Sequence, residues 1–566
     1  GKESIVDAVL EVGATQQTVQ VTEAAPLLDT GNVTMATNVT AEEFSLLPKA
    51  RSFQSVVLLS PGVNSGQIEG GFQINGASGS ENQFFVDGVS TNSLVDGRSR
   101  QNGAFEFLQE VQVKTGGIDA EYGGALGGVV SAITKSGGNQ FHGEGHYYFS
   151  GNGISSAPVK RLYLLNPYSN LGANPSYVQD YKPVNNQHEI GGSLGGYLLK
   201  DKLWFFTSYS PQLVRRSNDF KFSNGTDPDT LKQNQTSQQL FNKLSYNVSN
   251  RVRATASWLW TPTRTEGILP AYDGVADSVI TTKASVQALK TQGWTQPQSN
   301  YSGQIDWTIS NTSLLSVRGG RFWDNFRTWG VPPMSSITYQ APATGIAGLP
   351  AELQQPAGYF NTRRVQQTFF DITARTYYQV DYSKFLAGFL GSHDIKIGGG
   401  TQKNVNKVDV SYPGGGYVYV YWNTKYDVPG DLGGYQDGGK YGYYQVHNIG
   451  TRGTTGGLMN NLYIQDHWRI HPRLMVSLGL RTENEHVPSF NRAIRDDAFS
   501  FSFTEKMSPR VGASWDVTGK GKLKVYGSFG RYFDWVKYET SRGTFGGDFW
   551  SVRYRALDTL DVLSLS

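Results

Sequence analysis

The chain has no cysteine, so it holds no disulfide, no thiolate metal site and no cysteine nucleophile. An oxidising compartment would leave it unharmed. It also has almost no excess charge: Lys+Arg 50 against Asp+Glu 47 leaves +3, too balanced a surface for a protein that lives on phosphate backbones, and nucleic acid is not an expected partner. Charged residues make up only 17% of the 566, well below the roughly 25% of an average soluble chain. Long apolar runs are missing as well. The longest are stretches such as Val56-Val57-Leu58-Leu59 and Leu203-Trp204-Phe205-Phe206, far short of the 18 or so residues of a membrane helix, so any crossing of a bilayer falls to strands. Gly 67 and Pro 22 together make about one residue in six, which disfavours long helices because Gly costs about 1 kcal/mol per helical position relative to Ala.

What is abundant is aromatic: 13% of the chain, with Tyr 31, Phe 29 and Trp 12. Residues 1–24 alternate like a β segment, with Thr18, Gln20 and Thr22 opposing Val19 and Val21. Residues 25–39 read as a polar, Thr- and Asn-rich linker. Thr40 then serves as N-cap for a short helix through Glu42, Glu43, Phe44, Leu46 and Leu47, stopped at Pro48. Residues 40–138 mix short strands (Phe84–Val86, Val111–Lys114, Gly128–Lys135) with Gly turns and read as a small α+β domain.

From 139 to 566 the texture changes to long alternating stretches rich in Tyr, Trp and Ser. Thirteen strands are expected, at roughly 140–150, 186–199, 203–214, 236–248, 251–261, 297–309, 313–323, 365–386, 393–407, 457–470, 473–485, 507–517 and 522–533. Every second connection is tight: Lys200–Lys202, Ser249-Asn250, Ser310–Thr312, Gly388–Ser392, His471-Pro472 and Thr518–Gly521. The others run from about twenty to nearly fifty residues, the asymmetry of an up-and-down transmembrane barrel. In the eleventh strand Leu474, Val476, Leu478 and Leu480 oppose Met475, Ser477, Gly479, Arg481 and Glu483, as lipid outside and water inside would sort them. A soluble β-sandwich alternates in the same way, but its connections have no such two-sided length pattern.

Several motifs in order carry a resemblance. Leu47-Pro48, Arg51, Leu59–Val63, Asn75-Gly76, Val86-Asp87-Gly88-Val89, Leu108–Val113 and Ala120-Glu121-Tyr122-Gly123-Gly124 resemble the plug domain of TonB-dependent outer-membrane receptors. Gly195-Gly196, Lys200–Phe206, Tyr463–Trp468, Leu478–Arg481 and Ser508–Gly512 resemble the barrel of the Oar-like branch. The resemblance implies an all-β membrane protein in the bacterial outer membrane, an antiparallel transmembrane β-barrel with an N-terminal α+β plug. It implies residues 1–24 as the end of a carboxypeptidase-regulatory-like domain or the TonB-contact segment, 40–138 as plug and 139–566 as barrel. The family barrel has about 22 strands, so thirteen implies a barrel incomplete at its C-terminal side, ending in an extracellular loop.

The implied function is TonB-driven import of a siderophore, oligosaccharide or peptide. The implied partners are a TonB-type energy-transducing protein, outer-membrane lipid, a small substrate and, for an incomplete sheet, other protein chains. The alternative is an outer-membrane adhesin or assembly protein that binds through its long loops. Thr18, Val19, Gln20, Val21 and Thr22 are the expected TonB contact, by strand addition. Arg51 and Lys114 are expected to latch the plug to lumen carboxylates such as Glu483, and Tyr417, Tyr419, Tyr421 and Trp422 to face a ligand from the loops.

No catalytic set appears. Ser, His and Asp occur without a nucleophile elbow, and there is no HExxH pair. His142, Glu144 and His146 share one strand face with acceptable metal geometry, but a hydrated lumen face accounts for them, and neither metal nor cofactor is expected. Gly191–Gly196 mimics a phosphate loop within a strand pattern and lacks the Lys-Ser/Thr that nucleotide binding needs.

Overall fold

A computed structural model of the chain describes residues 32–566 except 47–52, 67–70, 102–105, 164–174, 180–181, 183, 221–228, 270–288, 340–341, 356–357, 363–365, 389 and 428–435. The expected TonB contact at 18–22 and the latch residue Arg51 lie outside the described residues.

The plug is a five-stranded sheet in the order Met35–Thr40, Leu108–Gly116, Val129–Thr134, Gln83–Val86, Val89–Ser90. Its ladders are antiparallel except that Gln83–Val86 runs parallel to Val129–Thr134. The first strand corrects the linker reading for residues 35–39, while 25–31 lie outside the described residues. Its Thr and Asn side chains look like loop chemistry, yet the backbone pairs along the apolar strand Leu108–Gly116, where Val39 meets Val111. The helix Ala41–Leu46 follows with a reciprocal cap: Thr40 N–H donates to Glu43 Oε2 (2.8 Å) and Glu43 N–H to Thr40 Oγ1 (3.5 Å). Val39, Val56, Ile74, Phe84, Leu108, Val111, Val113 and Val130 form the plug core. Asp87 and Gly88 have φ of 45° and 81°, the two-residue turn that joins strands paired at Val86 and Val89 with matching twist.

Around the plug curls one sheet, antiparallel except where Ser336–Tyr339 runs parallel to Tyr417–Trp422. It contains the thirteen expected strands. In chain order they are His142–Ser150; Val184–Leu199; Leu203–Tyr209 with Gln212–Phe220; Asp229–Ser237 with Leu240–Ser249; Val252–Trp260 with Thr263–Glu266; Gly293–Gln296 with Gln298–Ser310; Ser313–Trp329; Thr368–Ala387; Ser392–Ser411; Gly442–His471; Leu474–Pro488; Asp497–Phe501 with Ser508–Asp516; and Lys524–Gly530. The third, fifth and sixth are split where Pro211, Pro262 and Pro297 withhold a ladder donor. Neighbouring backbone amides still bond across these breaks, as Gln238 N–H does to Pro262 O (2.9 Å).

Consecutive strands are laddered throughout, but among the described residues the registers join the first strand only to the second and the thirteenth only to the twelfth. The barrel order is continuous around the wall, yet no ladder joins the first strand to the thirteenth among the described residues, and both are exposed along most of their length. Four of the tight hairpins carry a register shift in the last residues before the turn, between Tyr197 and Leu199, Asn247 and Ser249, Thr308 and Ser310, and Arg469 and His471. Such bulges add the local twist that a curved wall needs.

At the opposite end the long connections are more structured than loops. Gly442–His471 runs 30 residues, far beyond the roughly 9–11 that span a bilayer. Its upper part pairs with Tyr417–Trp422 on one side and Asp548–Ala556 on the other. Above the wall, Ile337, Tyr339, Leu349, Leu353, Tyr359, Val418, Val420, Trp422, Tyr444, Leu557, Val562 and Leu565 make a separate apolar core.

The facing follows the sequence pattern. Leu478 and Leu480 are exposed, whereas Met475, Arg481 and Glu483 are buried toward the plug. In the sixth strand Ile305 points out, 49% exposed, and its neighbour Gln304 lines the interior, donating to Asp306. Ile305→Arg should therefore destabilise the barrel by about 2–4 kcal/mol, the cost of Arg at the lipid midplane, while Gln304→Arg should cost under half of that. Urea unfolding in lipid bilayers measures both, and equal losses would refute this facing.

Candidate functional site

The interior site is the interface between plug and wall. Its centre is the plug segment Ile118–Tyr122, which has no secondary structure of its own and borrows donors from the wall. Arg510 donates from Nη1 to the carbonyls of Ile118 (3.0 Å) and Asp119, and from Nη2 to that of Tyr122 (2.9 Å). Arg481 donates to the carbonyls of Ala120 (3.2 Å) and Glu121 (3.0 Å). The Glu121 amide donates to the Gln465 side chain at 3.1 Å. Lys396 Nζ lies 2.6 Å and Arg318 Nη2 3.8 Å from the Glu121 carboxylate, and His467 lies 3.0 Å from that of Asp119.

Burial opposes ionisation of Asp119, but the His467 hydrogen bond and the charges of Lys114 and Arg510 outweigh it and hold that carboxyl below its ordinary range. Arg375, between these strands, donates to Ser90 Oγ (2.7 Å) and to the carbonyls of Ser90 and Asn92. The inward side chains of the seventh to twelfth strands thus grip one face of the plug.

The motif around this segment now has a steric reason. A Cβ on Gly123 would lie 2.2 Å from Glu483 Oε1, and one on Gly124, at φ +70°, would lie 2.5 Å from the Trp535 ring. Only glycine lets the plug backbone approach so closely.

The third to fifth strands meet the plug differently. Phe107 stacks on Phe241 at 5.1 Å, inside a cluster with Phe206 and Leu259. Beside them Asp87 accepts from Ser257 (3.1 Å) and lies 3.6 Å from Lys243. Between plug and wall a cavity of about 490 Å³ is lined by Asp87, Glu121, Lys243, Arg253, Asp306, Arg318, Tyr377 and Arg481 among others. Its polar lining makes it a place for water or a polar solute.

The expected latch pair is not joined. Lys114 stays within the plug, its Nζ 3.1 Å from Tyr122 Oη, while Glu483 accepts from Arg481 (2.7 Å) and from the Trp535 indole (3.2 Å). Burial pulls Lys114 down, but Tyr122, Glu121 and Asp119 outweigh it and raise its pKa. Of the loop aromatics, Tyr417, Tyr419 and Tyr421 share one half-buried face of their strand, and Val418, Val420 and Trp422 share the buried one. Trp422 packs edge-on against Tyr339 at 5.6 Å, as part of the upper core. On the other face Tyr421 stacks on Tyr443 at 4.5 Å and Tyr419 on Tyr421 at 4.8 Å, a ladder that Tyr443 extends toward Tyr554. The trio His142, Glu144 and His146 does not converge: Glu144 pairs with Lys135 (3.2 Å) and His146 turns toward Glu189 (3.9 Å).

A plug held by wall side chains inside a barrel of lipid-facing strands defines a plugged outer-membrane barrel. Residues 29–129 match the family described as TonB-dependent Receptor Plug Domain, and residues 133–229 and 221–550 match that described as Outer membrane beta barrel domain. The chain belongs to the TonB-dependent receptors of the bacterial outer membrane. It is 26% identical over 605 residues to the TonB-dependent transporter Oar of Myxococcus xanthus, covering 94% of this chain and 54% of that protein. Over 132 residues it is 33% identical to the Ferrienterobactin receptor of Escherichia coli (strain K12), covering 20% of this chain and 18% of that one. The chain thus spans about half the length of its Myxococcus relative.

In fold it is similar to the outer membrane transporter YddB from Escherichia coli (TM-score 0.64, 12% identity, 92% of this chain and 63% of that one). It is also similar to the unliganded ferric citrate transporter FecA (TM-score 0.54, 13% identity, 90% and 64%).

Arg510→Met should loosen the segment Ile118–Tyr122 by taking that donor from three carbonyls; Asp119 O keeps the Tyr122 N–H, while a carbonyl left stranded costs about 1–3 kcal/mol. Amide exchange of this segment should rise by an order of magnitude or more while that of Leu108–Gly116 stays slow. Unchanged protection would mean that the guanidinium does not hold it.

Proposed function

We propose that the protein imports a small polar or aromatic-binding substrate across the outer membrane, driven by TonB acting on the segment ahead of the plug. The observation that carries this reading is the polar plug–wall interface. Most of its donors are charged, so its hydrogen bonds contribute about 1.5–3 kcal/mol each, and because water can replace them one at a time a pull can rearrange the plug without unfolding the barrel. The cavity beside Asp87, Lys243, Arg318 and Tyr377 offers a start for the path.

Thr18, Val19, Gln20, Val21 and Thr22 are proposed as the TonB contact, where an alternating strand presents its backbone to a partner sheet. Tyr417, Tyr419 and Tyr421 are proposed as the ligand-facing surface, since stacked phenols suit a sugar or aryl face. Burial, then Tyr443, pushes the Tyr421 phenol up to about 12, so it meets a ligand as a neutral donor. The folded unit above the wall also suits an adhesin, which would bind through the same tyrosines without transport.

Strand addition needs backbone N–H groups, so Val19→Pro and Val21→Pro should abolish binding of the purified periplasmic domain of TonB and energised uptake, whereas Val→Ala at both positions should not. Calorimetry reads the first, and cell uptake of labelled siderophore, maltodextrin and peptide panels reads the second. Binding and uptake that survive both proline variants would refute the contact. A ligand bound at the tyrosine face and never imported would favour adhesion.

A further inference from the structure

Where the first two wall strands face the plug, Glu106, His146 and Glu189 bring one ligand atom each to within 4.8 Å of one another. Glu106 is 7% exposed and Glu189 1%, and the His146 side chain is nine-tenths buried. Neither ring nitrogen of His146 has a hydrogen-bond partner, although both are buried. An imidazole in such a place ordinarily fixes its tautomer by donating to a neighbour. Close by, Ser210 Oγ is likewise buried and unpartnered. The two side chains line the same spot: a Cβ on Gly191 would lie 2.6 Å from Ser210 Oγ and 2.8 Å from His146 Cε1. Glycine at 191 therefore makes the room that the imidazole occupies.

We propose that Glu106, His146 and Glu189 form a divalent-cation site that ties the plug to the first two wall strands. Two buried carboxylates and one buried imidazole converge on a region whose charge and donor set suit a dication. The nitrogen and oxygen donors suit zinc or another first-row divalent ion, with three protein ligands and an open position for water. Donors on zinc sit about 3.3 Å apart at bond lengths of about 2.0–2.1 Å, so the three groups close by an ångström or so on binding.

The ligands come from separate parts of the chain. Glu106 stands next to Phe107, the plug's apolar anchor, while His146 and Glu189 belong to wall strands, so the ion would reinforce the plug where the arginine grip does not reach. This does not depend on whether the protein imports a substrate.

The test uses the purified chain in detergent, stripped with EDTA and dialysed, and titrated with zinc against a chromophoric chelator. One equivalent of zinc should bind, and Glu189→Gln and His146→Ala should each weaken it by at least about tenfold, since even the loss of a ligand's supporting partner costs 10–100-fold. His188→Ala should leave the affinity unchanged, because that exposed ring bonds Tyr147 (2.8 Å) on the other face. If His146→Ala does not fold, the isosteric Glu189→Gln decides. No stoichiometric zinc, or an affinity equal to wild type in Glu189→Gln, overturns the site.

Discussion

The grip of Arg481 and Arg510 on five consecutive carbonyls, from Ile118 to Tyr122, is the contact that the plug's placement depends on. A buried peptide without a ladder must find donors elsewhere, and apart from the Tyr122 N–H that bonds Asp119 O (3.1 Å) the wall supplies them. Arginine suits the task because its rigid fork carries five N–H donors and its charge strengthens each bond. The rest of the motif follows from the approach that this requires. Gly123 and Gly124 clear space for Glu483 and Trp535, and on the wall a Cβ at Gly479 would lie 3.0 Å from the Ala120 methyl. Lys396 Nζ and His467 Nε2 then meet the two carboxylates that the segment carries.

The same accounting of backbone donors governs the wall. Hydrocarbon offers no partner for a free N–H, so lipid-facing backbone must be laddered, and three of the five strand breaks fall at a proline. Among the described residues the seam between the first and thirteenth strands has no ladder. A wall with such an edge in lipid would leave a row of donors unmet.

Much of this was legible in the sequence, for identifiable reasons. Period-two alternation with small and polar residues inward located all thirteen strands and the facing of Leu478 against Arg481, and the tight turns marked one rim. Met35–Thr40 escaped because Thr and Asn side chains imitate a connector while the backbone pairs. The upper ends of the strands escaped because above the bilayer both faces are polar or aromatic and the alternation fades. Trp422 was within reach of the same rule: in Tyr417–Trp422 it falls on the face of Val418 and Val420, which are buried, and opposite Tyr417, Tyr419 and Tyr421. The latch was not legible, because partners 275 and more residues apart, such as Glu121 and Lys396, leave no local pattern. Lys114 and Glu483 each found a nearer partner, Tyr122 and Arg481.

The two sides of the plug are attached by different physics. On the side of the seventh to twelfth strands the contacts are hydrogen bonds and ion pairs, and water can replace each of them once it enters from the polar cavity. On the other side Phe107 is buried against Phe206, Phe241 and Leu259. Exposing a ring of that size costs about 1.5–3 kcal/mol with no compensating bond to water. Under the pull proposed above, the polar contacts could be handed to water one at a time, whereas the Phe107 ring has no such replacement. That polar side adjoins the cavity between Asp87, Arg318 and Tyr377, so the proposed path of a solute would begin where water already reaches the plug's contacts.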